Sequence, residues 1–209
     1  MELTSTTARA RYQDLAANLS RSVVGLDFDG VLSPIVEDPA AAHIHPDAGE
    51  VLLALAREAL AVAVITGRPA RQALALGGLD EVGAAIAEAG SELWLYGQYG
   101  NERWSSTNRR IVSPRPPHGL STFMWELPRL LRQAGSEGAH IEEKGLAVAV
   151  HTRQLADPDA ARDRLVPVLQ EAAARHDLVV EPGRAVVEVR SSGMHKGHVV
   201  DRLVADLDA

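Results

Sequence analysis

The sequence contains no cysteine, which excludes disulfides, thiol catalysis and thiolate metal sites. Aromatic residues make up only 4% of it, so a core has to be built mainly from Ala, Val and Leu. No apolar run approaches the roughly 20 residues of a membrane span. Residues 1–9, Met-Glu-Leu-Thr-Ser-Thr-Thr-Ala-Arg, carry no signal-peptide core. Positive charge is in deficit: the net charge of −7 argues against a nucleic-acid or anionic-membrane partner. A cytoplasmic location is therefore expected. There are no repeats, no low-complexity tract and no long linker. With 209 residues, 46% hydrophobic and 23% charged, the chain fits one globular domain or a core with a modest insertion.

What is present is organised around residues 22–38, Ser-Val-Val-Gly-Leu-Asp-Phe-Asp-Gly-Val-Leu-Ser-Pro-Ile-Val-Glu-Asp. Val23, Val24 and Leu26 read as a buried strand that stops at two carboxylates, Asp27 and Asp29. Phe28 points the other way between them. In an open parallel sheet the ligand crevice lies beyond the strand C-termini, which is where this pair falls. Two acids this close repel, and a divalent cation would relieve the repulsion. An ordinary Asp-Gly turn is the alternative. Residues 61–65, Ala-Val-Ala-Val-Ile, form a second buried run, reached through an amphipathic helix over 47–60. That helix has Asp47 as its cap and Val51, Leu52, Leu55 and Ala59 inward. A strand–helix–strand unit of this kind makes the strands parallel, so Thr66 arrives on the same rim as Asp27. The hydroxyl and N–H groups of Thr66-Gly67-Arg68-Pro69 suit a phosphate, or simply cap the next helix.

The remaining pattern is as follows. A helix over 7–19 presents Tyr12, Leu15, Ala16 and Leu19 to the sheet. His43 and His45 lie in a loop over 39–46 with no third ligand nearby, so no zinc site is expected. Residues 70–80 read as a helix ending at Gly77-Gly78, and 84–87 as a third strand. Residues 93–104 carry a glycine pair that marks a turn near a ligand, or a hairpin. Three prolines within residues 113–118 mark a boundary. A helix over 121–134 follows, then a hairpin over 139–153 turning near Lys144-Gly145. Asp157-Pro158 opens a helix to residue 176, and strands over 178–181 and 185–190 make a second hairpin. The last helix starts at Lys196, in Met194-His195-Lys196-Gly197-His198, and turns Val199, Val200, Leu203, Val204 and Leu207 inward. A lysine at a helix N-terminus is locally unfavourable, the kind of violation that function explains.

The order apolar strand, Asp27-x-Asp29-Gly30, Val-Leu, then Thr66-Gly67-Arg68 and Lys196, resembles the haloacid dehalogenase superfamily of phosphohydrolases. The longer string Leu-Asp-Phe-Asp-Gly-Val-Leu-Ser-Pro-Ile-Val-Glu-Asp-Pro resembles the trehalose-6-phosphate phosphatases. So do the Gly-x-x-Gly-x-Glu-Arg string ending at Glu102-Arg103, and Ile-Glu-Glu-Lys-Gly-Leu-Ala-Val-Ala-Val-His-Thr-Arg over 141–153. Several relatives carry His where this chain has Tyr99. The resemblance runs from about Leu15 to Asp208. It implies a Rossmann-like parallel-sheet α/β core with an inserted α+β cap: core over 1–112, cap over 113–184, core again over 185–209.

It also implies a magnesium-dependent phosphatase acting on trehalose 6-phosphate through an aspartyl-phosphate. Asp27 is then the nucleophile, Asp29 the general acid and base, and Thr66 and Lys196 the groups that stabilise phosphate charge. Asp27 and the Asp29 carbonyl hold Mg2+. Arg68, Glu102, Glu142, Lys144 and Glu188 match positions implied to recognise the sugar. As plain sequence, Glu142-Glu143-Lys144 is equally a solvated turn, and Glu188 equally half of a cross-strand ion pair.

The family's fourth acidic motif, on a further strand, has no counterpart among the thirteen residues after Lys196. Asp206 and Asp208, at the end of the last helix, are poor substitutes for it. The core is therefore expected to be truncated at the C-terminus, with an open sheet edge available for strand pairing or a dimer. Two further readings stand beside the first. One is a phosphatase of the same superfamily for another sugar phosphate. The other is a truncated, non-catalytic sugar-phosphate-binding chain.

Overall fold

The computed structural model describes residues 5–36, 38–193 and 195–207. Glu37 and Met194 of the strings above, and Asp208 at the chain end, lie outside the described residues. The chain divides into two compact units, Met1–Ser113 with His195–Ala209, and Pro114–Met194.

The first unit is built on a sheet of four strands in the order β1 (Val23–Leu26), β2 (Ala61–Ile65), β3 (Leu93–Gly97), β4 (Glu102–Ser105). The first three are parallel, and β4 returns antiparallel to β3. All five residues of β2 are buried, as an unbroken Ala-Val-Ala-Val-Ile run requires when both faces of a strand are covered. On one face Val62, Val64, Leu93, Leu95 and Trp104 meet Leu52 and Ala56 of α2 (Ala48–Glu58), Ala70 and Ala73 of α3 (Ala70–Gly77), and Leu79 and Ile86 of α4 (Leu79–Glu88). On the other face Ala63, Ile65 and Tyr96 meet Val199 and Leu203 of α7 (Lys196–Leu207). Each fully buried Val, Leu or Ile among them contributes about 1.5–3 kcal/mol. Burial, the largest influence on the Tyr96 phenol, raises its pKa, and Arg103 and Arg202 oppose the shift.

Several expectations for this unit are corrected. Residues 84–87 are not a strand but the end of α4. Gly78 breaks the chain with φ +53, Asp80 and Glu81 favour the new helix start, and Leu79 and Ile86 are buried on one side of it. The third strand is the aromatic run at 93–97 instead. Helix α1 (Thr6–Ala17) buries none of its residues, and Tyr12 and Leu15 are each 51% exposed. Asp47 makes no side-chain cap. Val51, Val200 and Val204 face outward, because the buried stripes of their helices run through Leu52 and Ala56, and through Val199 and Leu203. Strand β1 is only half-buried rather than buried, and it forms the expected open sheet edge. It has β2 on one side and, among the described residues, no strand on the other.

The second unit has a four-stranded antiparallel sheet, ordered β5 (His140–Glu143), β6 (Ala147–His151), β8 (Val186–Ser191), β7 (Leu178–Gly183). Two helices, α5 (His118–Gln133) and α6 (Pro158–Ala174), cover one face of it. Phe123, Leu127, Leu165 and Leu169 pack there on Val148, Val150, Val187 and Val189. Asp157 caps α6 through a bond from the Ala160 N–H. A boundary at 184/185 is not where this unit ends. Strand β8 is hydrogen-bonded between β6 and β7, so the unit runs on to Met194.

Candidate active site

The register Leu26↔Val64 and Ile65↔Tyr96 brings Asp27, Thr66 and residues 97–100 to the C-terminal ends of three adjacent parallel strands. Beyond β1 the chain folds back at once. Leu32 and Ser33 N–H both bond to the Phe28 carbonyl, and Gly30, at φ +80, bonds to the Ser33 carbonyl. This turn fixes both acids on the rim and buries Phe28 completely beneath them.

Asp27 Oδ1 accepts from the Phe28 N–H at 2.7 Å, and Asp27 Oδ2 lies 2.5 Å from Lys196 Nζ. Lys196 reaches it from the first residue of α7, held against β1 and the turn at 98–100. Gly100 makes that approach possible: it has φ +102, and a β-carbon there would lie 2.2 Å from a Val199 methyl. The unfavourable helix-start position of Lys196 is thus offset by the carboxylate it faces.

Thr66 is fully buried. Its N–H bonds to the Tyr96 carbonyl, its carbonyl accepts from Tyr99 N–H, and its Oγ1 accepts from Arg68 N–H at 3.1 Å. The hydroxyl keeps its own proton to donate. The Tyr99 ring lies flush on Gly67, where a β-carbon would come within 2.8 Å of it. Tyr99 itself is left-handed at φ +59.

Arg68 does not stand open to a ligand. Its Nε bonds to Asp29 Oδ2 at 2.8 Å and its Nη2 to Asp29 Oδ1 at 2.6 Å, a two-pronged pair. Its Nη1 bonds to the Pro39 carbonyl at 2.8 Å, and the guanidinium lies 5.4 Å from the centre of the Phe28 ring. Glu102 is likewise committed. Its Oε2 accepts from Ala70 N–H at 2.6 Å, capping α3, and its Oε1 accepts from Ser113 Oγ at 3.4 Å. Neither partner is readable from sequence, since Asp29 and Arg68 are 39 residues apart and Ala70 and Glu102 are 32 apart.

In the second unit, Glu142, Ala149, Glu188 and Glu181 stand in one cross-strand row. Glu142 meets His151 Nε2 at 2.8 Å, and Lys144 Nζ bonds to Glu188 Oε2 at 2.6 Å. Arg190 reaches Glu181 Oε2 at 3.1 Å and lies 3.8 Å from Glu188 Oε1. Glu188 and Arg190 are both buried. The cross-strand alternative for Glu188 therefore has a partner, Lys144, and the hairpin turn at Lys144 is not merely solvated. Sequence reasoning missed what these groups support: Phe28 and Pro39 lie against Arg68, and Gly100 against α7, while in the second unit Arg190 stands beside Glu188. The one local signal was the alternation of Val-Glu-Val-Arg at 187–190, which puts two charges on one face of a strand.

Acids at the tip of the first parallel strand, a hydroxyl at the tip of the second and a lysine from the last helix define a haloacid-dehalogenase-type α/β fold. A haloacid dehalogenase-like hydrolase from Bacteroides thetaiotaomicron shares it, with a TM-score of 0.56 at 14% identity over 90% of this chain and 77% of that one. The trehalose-phosphatase family model matches residues 25–209, and the chain belongs to that family. A trehalose-phosphate phosphatase of Mycobacterium tuberculosis is 34% identical over 179 residues, 80% of this chain and 39% of that protein. An uncharacterised glycosyl hydrolase of the same species is 36% identical over 185 residues, 87% of this chain but 13% of that one. The chain thus spans well under half the length of these relatives. The C-terminal domain of trehalose-6-phosphate phosphatase from Candida albicans has a TM-score of 0.74 at 24% identity, over 94% of this chain and 66% of that one.

Proposed function

We propose that this chain hydrolyses trehalose 6-phosphate to trehalose and phosphate. The observation that carries the reading is the Asp27–Lys196 pair on the strand rim that also bears Asp29 and Thr66, in a chain of this family. Asp27 Oδ attacks phosphorus in line and forms an aspartyl-phosphate while the bond to the sugar oxygen breaks. Asp29 gives that oxygen its proton, then takes a proton from the water that hydrolyses the intermediate. The Lys196 ammonium and the Thr66 hydroxyl stabilise the phosphate oxygens as charge shifts.

The donors at the rim are all oxygens, which suits a small hard cation that keeps waters and shares the phosphate. The Asp27 carboxylate and the Asp29 main-chain carbonyl would hold Mg2+. Bound there, it would neutralise charge between nucleophile and phosphate.

In this reading the second unit is the cap, and Glu142, Lys144 and Glu188 read the disaccharide hydroxyls. In this reading Arg68 and Glu102 hold Asp29, the Pro39 carbonyl and the Ala70 N–H, while Glu142, Lys144 and Glu188, paired within their own sheet, exchange those sheet partners for sugar hydroxyls. The reading includes a cytoplasmic location; among the described residues no helix is long and apolar enough to cross a membrane. It also includes pairing of a further strand or subunit along the open edge of β1.

The test is phosphate release from trehalose 6-phosphate, with glucose 6-phosphate and p-nitrophenyl phosphate alongside, with and without magnesium. The expected result is magnesium-dependent release selective for the disaccharide, abolished in Asp27→Asn. Release preferring another sugar phosphate would move the substrate assignment. No release from folded protein, with retained binding of the sugar phosphate by calorimetry, would make this a binding chain.

A further inference from the structure

Resting on that reading, we infer that Arg68 is a positioning residue for Asp29 and does not recognise the sugar. A carboxylate that must give a proton to one face of the substrate and later take one from water has to be aimed. Asp29 sits on a tight turn with its side chain 40% exposed, and left alone it would rotate freely. The guanidinium removes that freedom. A parallel two-bond pair fixes both oxygens and the carboxylate plane, which a single bond cannot do.

Arg68 is itself fixed from four sides. Its Nη1 is on the Pro39 carbonyl, its ring-facing side is on Phe28, its N–H is on Thr66 Oγ1, and its carbonyl accepts from Gln98 N–H. Its side chain is only 11% exposed, so it has little surface left for a disaccharide. The same residue therefore joins the turn after β1, the turn after β2 and the turn after β3 into one frame around the reacting atoms. In the chemical step one Asp29 oxygen leaves the fork to face the bridging oxygen of the substrate, while the other stays on Arg68. The freed Asp29 oxygen takes a proton from solvent. The Asp27 Oδ–P bond then forms as the P–O bond breaks, the electron pair of the broken bond goes to the leaving oxygen, and the Asp29 proton goes to that same oxygen.

The test compares Arg68→Lys and Arg68→Gln with the parent chain on three substrates: trehalose 6-phosphate, a simple alkyl phosphate without a sugar, and p-nitrophenyl phosphate. The last has a leaving group that departs without a proton. Lysine keeps the charge and loses the fork. General acid catalysis is worth about 10²–10⁴-fold, and misplacing a group by ~1 Å costs on the order of 10². We expect kcat to fall about 10²-fold on both alkyl esters in either variant, with KM changed by less than about 3-fold. On p-nitrophenyl phosphate the first-turnover release of p-nitrophenol should change by less than about 3-fold, while steady-state turnover, which still needs Asp29 as base for the water, falls with the others. Thermal melts should fall in both variants, because a largely buried and multiply bonded side chain is lost, so the split between substrates is the readout and not the melt.

A rise in KM for trehalose 6-phosphate alone would overturn the inference and return Arg68 to sugar recognition. A first-turnover release of p-nitrophenol slowed as much as the alkyl-ester turnovers would also overturn it, as a purely structural role. A parent chain inactive on all three would overturn the phosphatase reading and the inference with it, whereas the first two outcomes overturn the inference alone.

Discussion

Lys196 Nζ and Asp27 Oδ2 stand 2.5 Å apart, across a gap of 169 residues, and neither is more than 39% exposed. The pair joins the first residue of the last helix to the tip of the first strand. It is too exposed to be a major prop of the fold, since pairs of this kind are worth about 1 kcal/mol or less. Losing it also relieves the clash of a cation with a helix start. Lys196→Met should therefore leave the unfolding free energy, measured in urea, within about 1 kcal/mol of the parent. The same change should cut phosphate release by about 10²-fold or more, because a preorganised charge is withdrawn from the phosphate. Equal losses of stability and activity would assign Lys196 to folding instead.

How much of this was legible in the sequence divides by range. The runs at 23–26 and 61–65 announced themselves because an uninterrupted apolar stretch ending in turn residues has few other uses. Residues 84–87 misled because a run of four apolar residues, three alanines and Ile86, fits a strand or a helix equally. What decided for helix was the Gly78 break and the acids after it, six residues away. Leu93–Gly97 was obscured by its aromatic and glycine neighbours, which suggest a turn before they suggest a central strand. The acidic rim, the Thr66 turn and Lys196 were legible as residue types. What each charged side chain touches was not: Arg68 and Glu102 look like free ligand-binding groups until the chain closes and gives them Asp29 and Ala70.

Glu102 is expected to behave as a helix cap. Its Oε2 takes the Ala70 N–H at 2.6 Å, and its charge faces the positive end of α3. Glu102→Ala should cost about 1 kcal/mol in urea unfolding, the usual value of a lost cap, while Glu102→Gln keeps an acceptor and should cost less. KM for trehalose 6-phosphate should not move in the glutamine variant. A raised KM there, with unchanged stability, would show that Glu102 reads the sugar after all.

The second unit carries a pH-dependent element that the proposed chemistry does not use. Glu126 lies 2.9 Å from His176 Nε2 and 3.1 Å from Arg175 Nη2. The hydrogen bond from His176, and then that from Arg175, hold its pKa below the ordinary value of 4.5. A depressed acid stabilises the fold above its ordinary value, and the contribution is lost as pH falls through the lower, folded value. Stability of the parent should therefore fall more steeply below pH 4.5 than that of Glu126→Gln, with the two curves parallel at higher pH. Urea midpoints taken across the acid range check this; coincident slopes would mean that the pair does not persist in solution.

Lys144 and Glu188 test whether a residue can serve both the sheet and the substrate. Their side chains are 16% and 8% exposed and bonded at 2.6 Å. Removing one partner of a buried pair leaves a charge without its counter-ion and costs about 3–5 kcal/mol, whereas removing both is often nearly neutral. Lys144→Met should accordingly destabilise the chain by about 3 kcal/mol, reduced by the nearby Arg190, and adding Glu188→Gln should restore most of the loss. Arg190 lies 3.8 Å from Glu188 Oε1, near enough to share the charge but not to replace the bond. The double variant then separates the two roles. Restored stability with lost affinity for trehalose 6-phosphate, measured by calorimetry, would mean that the pair is held together in the free chain and opened by the sugar. Restored stability with unchanged affinity would confine both residues to the sheet and move sugar recognition to other groups on the same face, Glu142 first among them.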